Sequence, residues 1–343
     1  MTKKTTFKPK QVTKKILSPL RDRSLDIIKN RFGLGADLEH RTLEAIGEKY
    51  GITRERVRQI EQAALTMIKK SEEFKGEKES FAELKTIVDE LGGLVSEDEL
   101  LDFVSKDQET KNHIHFYLVL GDEFIKHRED DDFVSRWSVD ANLSDQVHTS
   151  LKNLYSNLSD TEIIPESEMV NRFLSELKKI NVEMRDEEIA KRWLTLSKGV
   201  KKNPLGEYGR SGASGVKARG IKDFAYLMMR KHGSPMHFRE VAKAITNTFD
   251  KKCHTATCHN ELIKDKRFVL VGRGMYALSE WGYKPGVVRD VIKEILKREG
   301  PMTKEDVVDK VLKERYLKKN TILVNLQNPK YFKKNKDKTY SPL

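Results

Sequence analysis

The chain has 343 residues, 37% hydrophobic and 34% charged, so it can build small cores under much solvated surface, and its length suits about two domains. No apolar run approaches the roughly 18 residues of a membrane span, and the opening MTKKTTFKPKQVTKK lacks the apolar stretch of a secretory signal; two cysteines make no disulfide framework. A soluble, cytoplasmic protein is expected, and its net charge of +12 is unevenly spread.

Residues 1–20 hold six Lys and no acid, and residues 71–197 hold 15 basic against 30 acidic residues. Residues 198–281 hold 17 against 7, and 282–343 hold 16 against 8. Basic segments attract phosphate backbones, whereas an acidic one is repelled by them and suits a protein partner.

In chain order, residues 1–17 read as a basic tail too polar and short to fold alone. Ser18 and Pro19 suit the cap and first turn of a helix carrying Leu25, Ile28 and Phe32 inward. Arg41 to Lys70 then reads as two helices hinged on glycine. In the first, Leu43, Ile46, Gly47 and Tyr50 fall at helical steps, and Gly51 ends it. Thr53 is the next N-cap, and Val57, Ile60, Ala64 and Ile68 form the inner stripe of the second helix. Arg54, Glu55, Arg58, Gln59 and Gln62 project from the other side, the layout of a helix-turn-helix with a polar recognition face.

RTLEAIGEKYGITRERVRQIEQAALTMIKK, with the preceding LDIIKNRFGLG, resembles region 4 of bacterial housekeeping sigma factors, the sigma-70 family, over residues 18–70. The resemblance implies that this helix reads the minus-thirty-five promoter element in double-stranded DNA and that the domain docks on the flap of the RNA polymerase core. Carried over by position, Arg54, Glu55, Arg58 and Gln59 would read bases, and Arg41, Thr42 and Arg56 would hold the DNA backbone. The chemistry agrees: Arg pairs with guanine, Gln with adenine, and Glu accepts from cytosine. Only about 40 residues precede the motif, so the family's parts that melt the start site and grip the polymerase clamp are expected to be absent.

Ser71 to Ser80 reads as a charged connector. From Phe81 a pattern repeats four times: an apolar anchor at Val95, Ile164, Met236 and Met302, then apolar residues at the fifth and ninth positions after it. These are Leu100 and Val104, Met169 and Phe173, Val241 and Ile245, and Val307 and Val311. Three of the units close with short apolar segments around a polar turn, starting at Phe124, Phe268 and Tyr331. Strand, turn and strand after helices is the order of a winged helix. The expected fold class is mainly α, a helix-turn-helix domain plus winged-helix-like modules with small β-hairpin wings. The modules fall at 81–141, 147–197, 220–283 and 286–343, the second with obscure strands, and the Lys- and Gly-rich 198–219 reads as a linker. HTATCHNELIKDKRFVLVGRGMYALSEWGY in the third unit resembles the HARE-type helix-turn-helix, a family that includes the folded domain of the RNA polymerase delta subunit. Gly272, Arg273 and Gly274 make its tight turn, with Arg273 as a candidate wing contact.

Cys253, His254, Cys258 and His259 cluster, but positions five apart lie about 140° apart on a helix and cannot converge on one metal. His113, His115 and His127 lie near the acidic run Glu129 to Asp132, which reads as a solvated hairpin turn. No nucleophile elbow, phosphate-cradling loop or nuclease motif is visible, so neither enzyme, metal nor cofactor is expected. The favoured function is a sigma-related, nucleoid-associated regulator that binds promoter-like DNA, RNA polymerase, or both. The alternatives are a protein-interaction adaptor of the polymerase with incidental DNA binding, and the DNA-targeting subunit of a restriction or modification system.

Overall fold

The computed structural model describes residues 5–177, 186–283 and 286–343. The chain divides into two compact units, Met1–Lys201 with Tyr208–Ser211, and Lys202–Glu207 with Gly212–Leu343. Among the described residues no helix is long and apolar enough to cross a membrane.

The first unit opens with helix α1 (Pro9–Ile16), where a Lys-rich surface hides an apolar stripe: Val12, Thr13 and Ile16 are buried. The segment read as a basic tail too short to fold alone is, from Pro9 onward, packed into the core; Lys3 and Lys4 lie outside the described residues. The next helix, α2 (Asp22–Phe32), starts three residues beyond Pro19, and Ile27, Ile28 and Phe32 turn inward from it. Helices α3 (Leu43–Tyr50) and α4 (Arg54–Lys70) follow. The presumed connector is instead the short helix α5 (Glu72–Lys75), capped by Ser71, and the start of α6 (Lys78–Glu90).

Four modules of one topology come next, each a helix, a short strand or single bridge, two helices and a two-stranded hairpin. The first is α6, β1 (Leu94–Ser96), α7 (Glu97–Val104), α8 (Gln108–Leu120), β2 (Ile125–His127) and β3 (Arg136–Ser138). Its strands lie in the order β1-β3-β2, both pairings antiparallel, with Val95 opposite Trp137. The second is α9 (Ala141–Asn157), β4 (Ile163–Ile164), α10 (Glu166–Glu176), α11 (Glu187–Leu196), β5 (Val200–Lys202) and β6 (Tyr208–Arg210), in the order β4-β6-β5. Residues 198–219, read as a linker, thus contain this module's hairpin. Val200 and Tyr208 are buried in its core, and two apolar side chains suffice to seat strands of three residues.

The third module, in the second unit, is α12 (Ile221–His232), β7 (Met236–His237), α13 (Phe238–Phe249), α14 (Thr255–Lys264), β8 (Phe268–Gly272) and β9 (Met275–Leu278), ordered β7-β9-β8. The fourth is α15 (Val288–Glu299), α16 (Lys304–Glu314), α17 (Lys319–Leu326), β10 (Phe332–Lys334) and β11 (Tyr340–Pro342). Here the first strand shrinks to a single bridge, Met302 to Tyr340, which leaves the order of the others intact. The fold is mainly helical with small antiparallel hairpins, as winged-helix-like modules require.

All four anchors occupy the first strand or its bridge, and all eight residues at the fifth and ninth positions are buried, from 0% to 3% exposed. An anchor side chain pins the strand to the hairpin, and the helix that follows turns the same face inward at each turn. In the first unit the core is shared. Ile16, Phe32, Ala64 and Ile68 pack in one cluster with Leu84, Leu100, Ile114, Phe116 and Trp137, so the helix-turn-helix and the first module form a single body.

Candidate nucleic-acid interface

The geometry of the α3–α4 pair is set by four residues. The Thr42 hydroxyl accepts from the Ala45 amide at 3.1 Å, and the Thr53 hydroxyl accepts from the Arg56 amide at 3.2 Å. Each cap satisfies an otherwise free helix amide and is worth about 1 kcal/mol. Gly51 ends α3 in the left-handed conformation, φ 62°, which glycine adopts without steric cost. Gly47 must be glycine for a different reason: a Cβ there would lie 2.6 Å from the Ile52 carbonyl oxygen, inside any tolerable contact. Ile27, Ile46 and Val57 are fully buried together and fix the angle between α2, α3 and α4, with Leu43, Tyr50, Ile52 and Ile60 flanking them. Ion pairs add to the same joints, Arg31 to Glu61 at 3.3 Å and Lys49 to Asp26 at 2.9 Å, while the Tyr50 hydroxyl donates to Asp26.

With Val57, Ala64 and Ile68 buried, the opposite face of α4 is exposed. Arg54, Glu55, Arg56, Arg58, Gln59 and Gln62 all lie on solvent. Five of them are joined by hydrogen bonds at helical spacing. Arg58 donates through Nη2 and Nε to the two oxygens of Glu55, at 2.7 and 2.9 Å, and through Nη1 to Gln62 at 3.1 Å. Gln59 donates to Glu55 at 3.4 Å and accepts from Arg56 at 3.2 Å. The Arg58 guanidinium holds the Glu55 carboxyl below the usual carboxylate range, and Glu55 in turn raises Arg58. Exposed pairs of this kind are weak, so the donors and acceptors can exchange partners for base edges at small cost. Arg54 begins the helix beside this network.

Arg41 lies two residues ahead of the first residue of α3, and its guanidinium is tied to Asp37 at 2.8 Å while its backbone bonds to Asn30 and Arg31. That pairing holds Asp37 below the usual carboxylate range, and a phosphate would have to replace Asp37 as partner. Thr42 is exposed, and its capping role leaves the O–H free to donate. Arg273 belongs to the second unit, exposed at the two-residue turn between β8 and β9, with Gly274 at φ 73°.

The loop that leads into α3 has a support that the motif does not reveal. Asn112, 1% exposed on α8 of the first module, donates to the carbonyls of Gly33 at 2.8 Å and Leu38 at 2.9 Å. Its amide oxygen meets His40 at 2.8 Å and accepts from Gln108 at 2.8 Å. The one hint in sequence is a polar pair, Gln108 and Asn112, four residues apart in the polar first half of a helix that ends apolar.

The other titratable groups singled out in the sequence serve the fold. Burial pushes His115 down to about 4, and burial also lowers His113, neither of whose ring nitrogens finds a hydrogen-bond partner. The acidic run does sit in the β2–β3 turn, yet Asp130 is built into it. Asp130 accepts from the Asp132 and Phe133 amides and from the buried Arg136. Cys258 is buried and its thiol is pushed up to about 12, while His259 stacks on Phe238. Among the described residues no three His, Cys, Asp or Glu side chains are placed to hold a metal.

Residues 16–70 match the family model of sigma-70, region 4. The chain is 42% identical over 59 residues to RNA polymerase sigma factor RpoD of Neisseria gonorrhoeae, covering 17% of this chain and 9% of that protein. It is 46% identical over 54 residues to RpoD of Helicobacter pylori strain J99, covering 16% and 8%. Against RNA polymerase principal sigma factor HrdD of Streptomyces griseus it is 46% identical over 55 residues, 16% of each chain. The chain thus spans between 8% and 16% of the length of these relatives, and its four modules lie outside the matched segment. What the comparisons show is that this one segment resembles region 4 of sigma-70 factors.

Proposed function

We propose that this protein is a sigma-related transcription regulator that reads promoter-like duplex DNA with α4 and engages RNA polymerase. Arg54, Glu55, Arg58 and Gln59 contact bases, and Arg56, Thr42 and Arg41 contact the backbone, Arg41 after exchanging Asp37 for phosphate. The observation that carries this reading is the exposed, hydrogen-bonded row of Arg and Gln on a helix whose turn, caps and buried stripe are all in place, within the segment matched to region 4. Such a helix fits a major groove about 12 Å wide and presents the donors that guanine and adenine accept. The third module acts in this reading as a HARE-type helix-turn-helix with Arg273 at its wing, and the protein works at the nucleoid.

A second reading, an adaptor whose acidic modules bind a basic protein surface, is favoured by one fact. The acidic first module shares its core with the helix-turn-helix, so a partner held by one is held beside the other. Duplex binding by the purified chain separates the two, since only the first reading requires it, and affinity purification from the native cell, with and without nuclease, shows how polymerase is held. Polymerase subunits that leave with nuclease support DNA-mediated association, and subunits that stay support direct contact. Absence of polymerase together with absence of duplex binding by the purified chain overturns both.

A further inference from the structure

We propose that the fourth module is a second duplex DNA contact, one that grips the phosphate backbone through its β10–β11 hairpin and the start of α17. Residues 315–343 hold eight Lys and Arg against a single acid, Asp337. Lys333 and Lys334 on β10, Lys336 and Lys338 in the turn, Lys330 ahead of the strand, and Lys318 and Lys319 at the start of α17 are all exposed. The one acid, Asp337, is exposed in the turn and accepts from the Thr339 amide at 3.1 Å and from its hydroxyl at 2.7 Å. It keeps its charge, and the seven lysines of the arm outnumber it.

The molecule supplies its own contrast. The first module has the same order of helices and hairpin, but its hairpin tip runs Arg128, Glu129, Asp130, Asp131, Asp132. Of these, Glu129, Asp130 and Asp132 already pair with Lys198, Arg136 and Lys152, so the tip offers phosphate no excess of positive charge. The same architecture thus carries an acidic wing at one position and a lysine wing at another. Lysines along an edge strand also discourage strand-to-strand aggregation, which would account for Lys333 and Lys334. That explanation does not reach Lys336 and Lys338, which lie in the turn, nor Lys318 and Lys319 on the helix. A strand of three residues spans about 10 Å, and duplex DNA presents one charge per about 1.7 Å of axis, so the arm faces several phosphates at once. Lysine is a flexible point charge without the planar fork that reads guanine, and the contact is accordingly indifferent to sequence.

This contact is independent of α4, and the test keeps the two apart. In the full chain, Lys333→Gln, Lys334→Gln and Lys336→Gln are combined with Lys338→Asn, asparagine being suited to the positive φ of 69° at that turn position. Affinity for a duplex of fixed sequence is measured across a salt series, and sequence preference by selection from a random duplex pool. The slope of log affinity against log salt should become shallower by about two to four units, close to 0.9 for each phosphate lost, with unchanged sequence preference and unchanged melting temperature. Arg58→Ala should do the reverse, altering preference and leaving most of the slope. An unchanged slope in the fourfold variant overturns the proposal, as does a loss confined to single-stranded RNA or to an acidic polypeptide while duplex binding persists.

Discussion

Replacing Asn112 by leucine tests how the DNA-facing helices are aimed, because the two side chains are close in size and only the polar atoms are lost. Asn112 makes four hydrogen bonds, two to backbone carbonyls of the loop ahead of α3. His40 and Gln108 reach solvent and can exchange Asn112 for water. The Gly33 carbonyl belongs to a buried residue and that of Leu38 to a half-buried one. A buried acceptor left without a donor costs about 1 to 3 kcal/mol, so Asn112→Leu should destabilise the first unit by about 2 to 4 kcal/mol once the half-buried carbonyl is added. The loop cannot relax freely, since a Cβ at Gly33 would already touch Leu38, His40 and Asn112 itself. Urea unfolding followed by fluorescence reads the loss as a lower midpoint at unchanged slope. His40→Ala should cost under about 1 kcal/mol, because its partner atom also accepts from Gln108. An Asn112→Leu midpoint within error of the wild type would refute the claim that α8 holds the loop.

Three further outcomes follow from the same structure. Ile16→Ala should cost about 2 to 5 kcal/mol by the urea assay, because a fully buried side chain leaves a cavity; a cost near zero would return residues 9–16 to the status of a basic tail. Gly47→Ala trades a helix-propensity gain of about 1 kcal/mol against a clash with the Ile52 carbonyl, and duplex affinity should fall even if thermal stability is held; affinity equal to wild type would show that the turn tolerates opening. Burial holds His115 and His148 neutral, each lowered to about 4 from 6.5, so the folded state takes up their protons later than the unfolded chain does. Stability from these groups is complete above about pH 6.5 and is lost as pH falls toward 4, by up to about 1.4 kcal/mol per pH unit for each histidine. His115→Gln should flatten that limb in urea midpoints measured across the range, and an unchanged limb would contradict the assignment.

Much of this fold could be read from spacing alone. The caps Thr42 and Thr53, the hinge at Gly51 and the stripe Val57, Ala64 and Ile68 are local features, set by residues three or four apart, and the structure places them as the pattern implies. The four anchors and their fifth and ninth followers were visible for the same reason. Two features escaped because charge masked a minimal apolar signal: α1, where only Val12 and Ile16 mark the inner face among lysines, and the second hairpin, seated by Val200 and Tyr208. Asn112 escaped for a different reason. Its partners at Gly33 and Leu38 lie more than seventy residues away, and no local periodicity records such a contact. The shared core has a practical consequence. An isolated fragment of residues 81–197 would lose Ile16, Phe32 and Ile68 from its packing, so charge effects of the acidic modules are better tested in the full chain.

The most direct test of the account is selection of bound sequences from a random duplex pool by the wild type, Arg58→Ala and Arg41→Ala. Arg58 lies on the exposed face of α4, where a bidentate contact to the correct base is worth about a tenfold to hundredfold preference. The wild type should enrich one motif, and Arg58→Ala should relax it at about one base pair. Arg41→Ala should keep the motif while weakening all sequences and reducing the salt slope by about one unit. Absence of any enriched motif in the wild type, or identical preference and equal weakening in both variants, would contradict the claim that α4 reads bases.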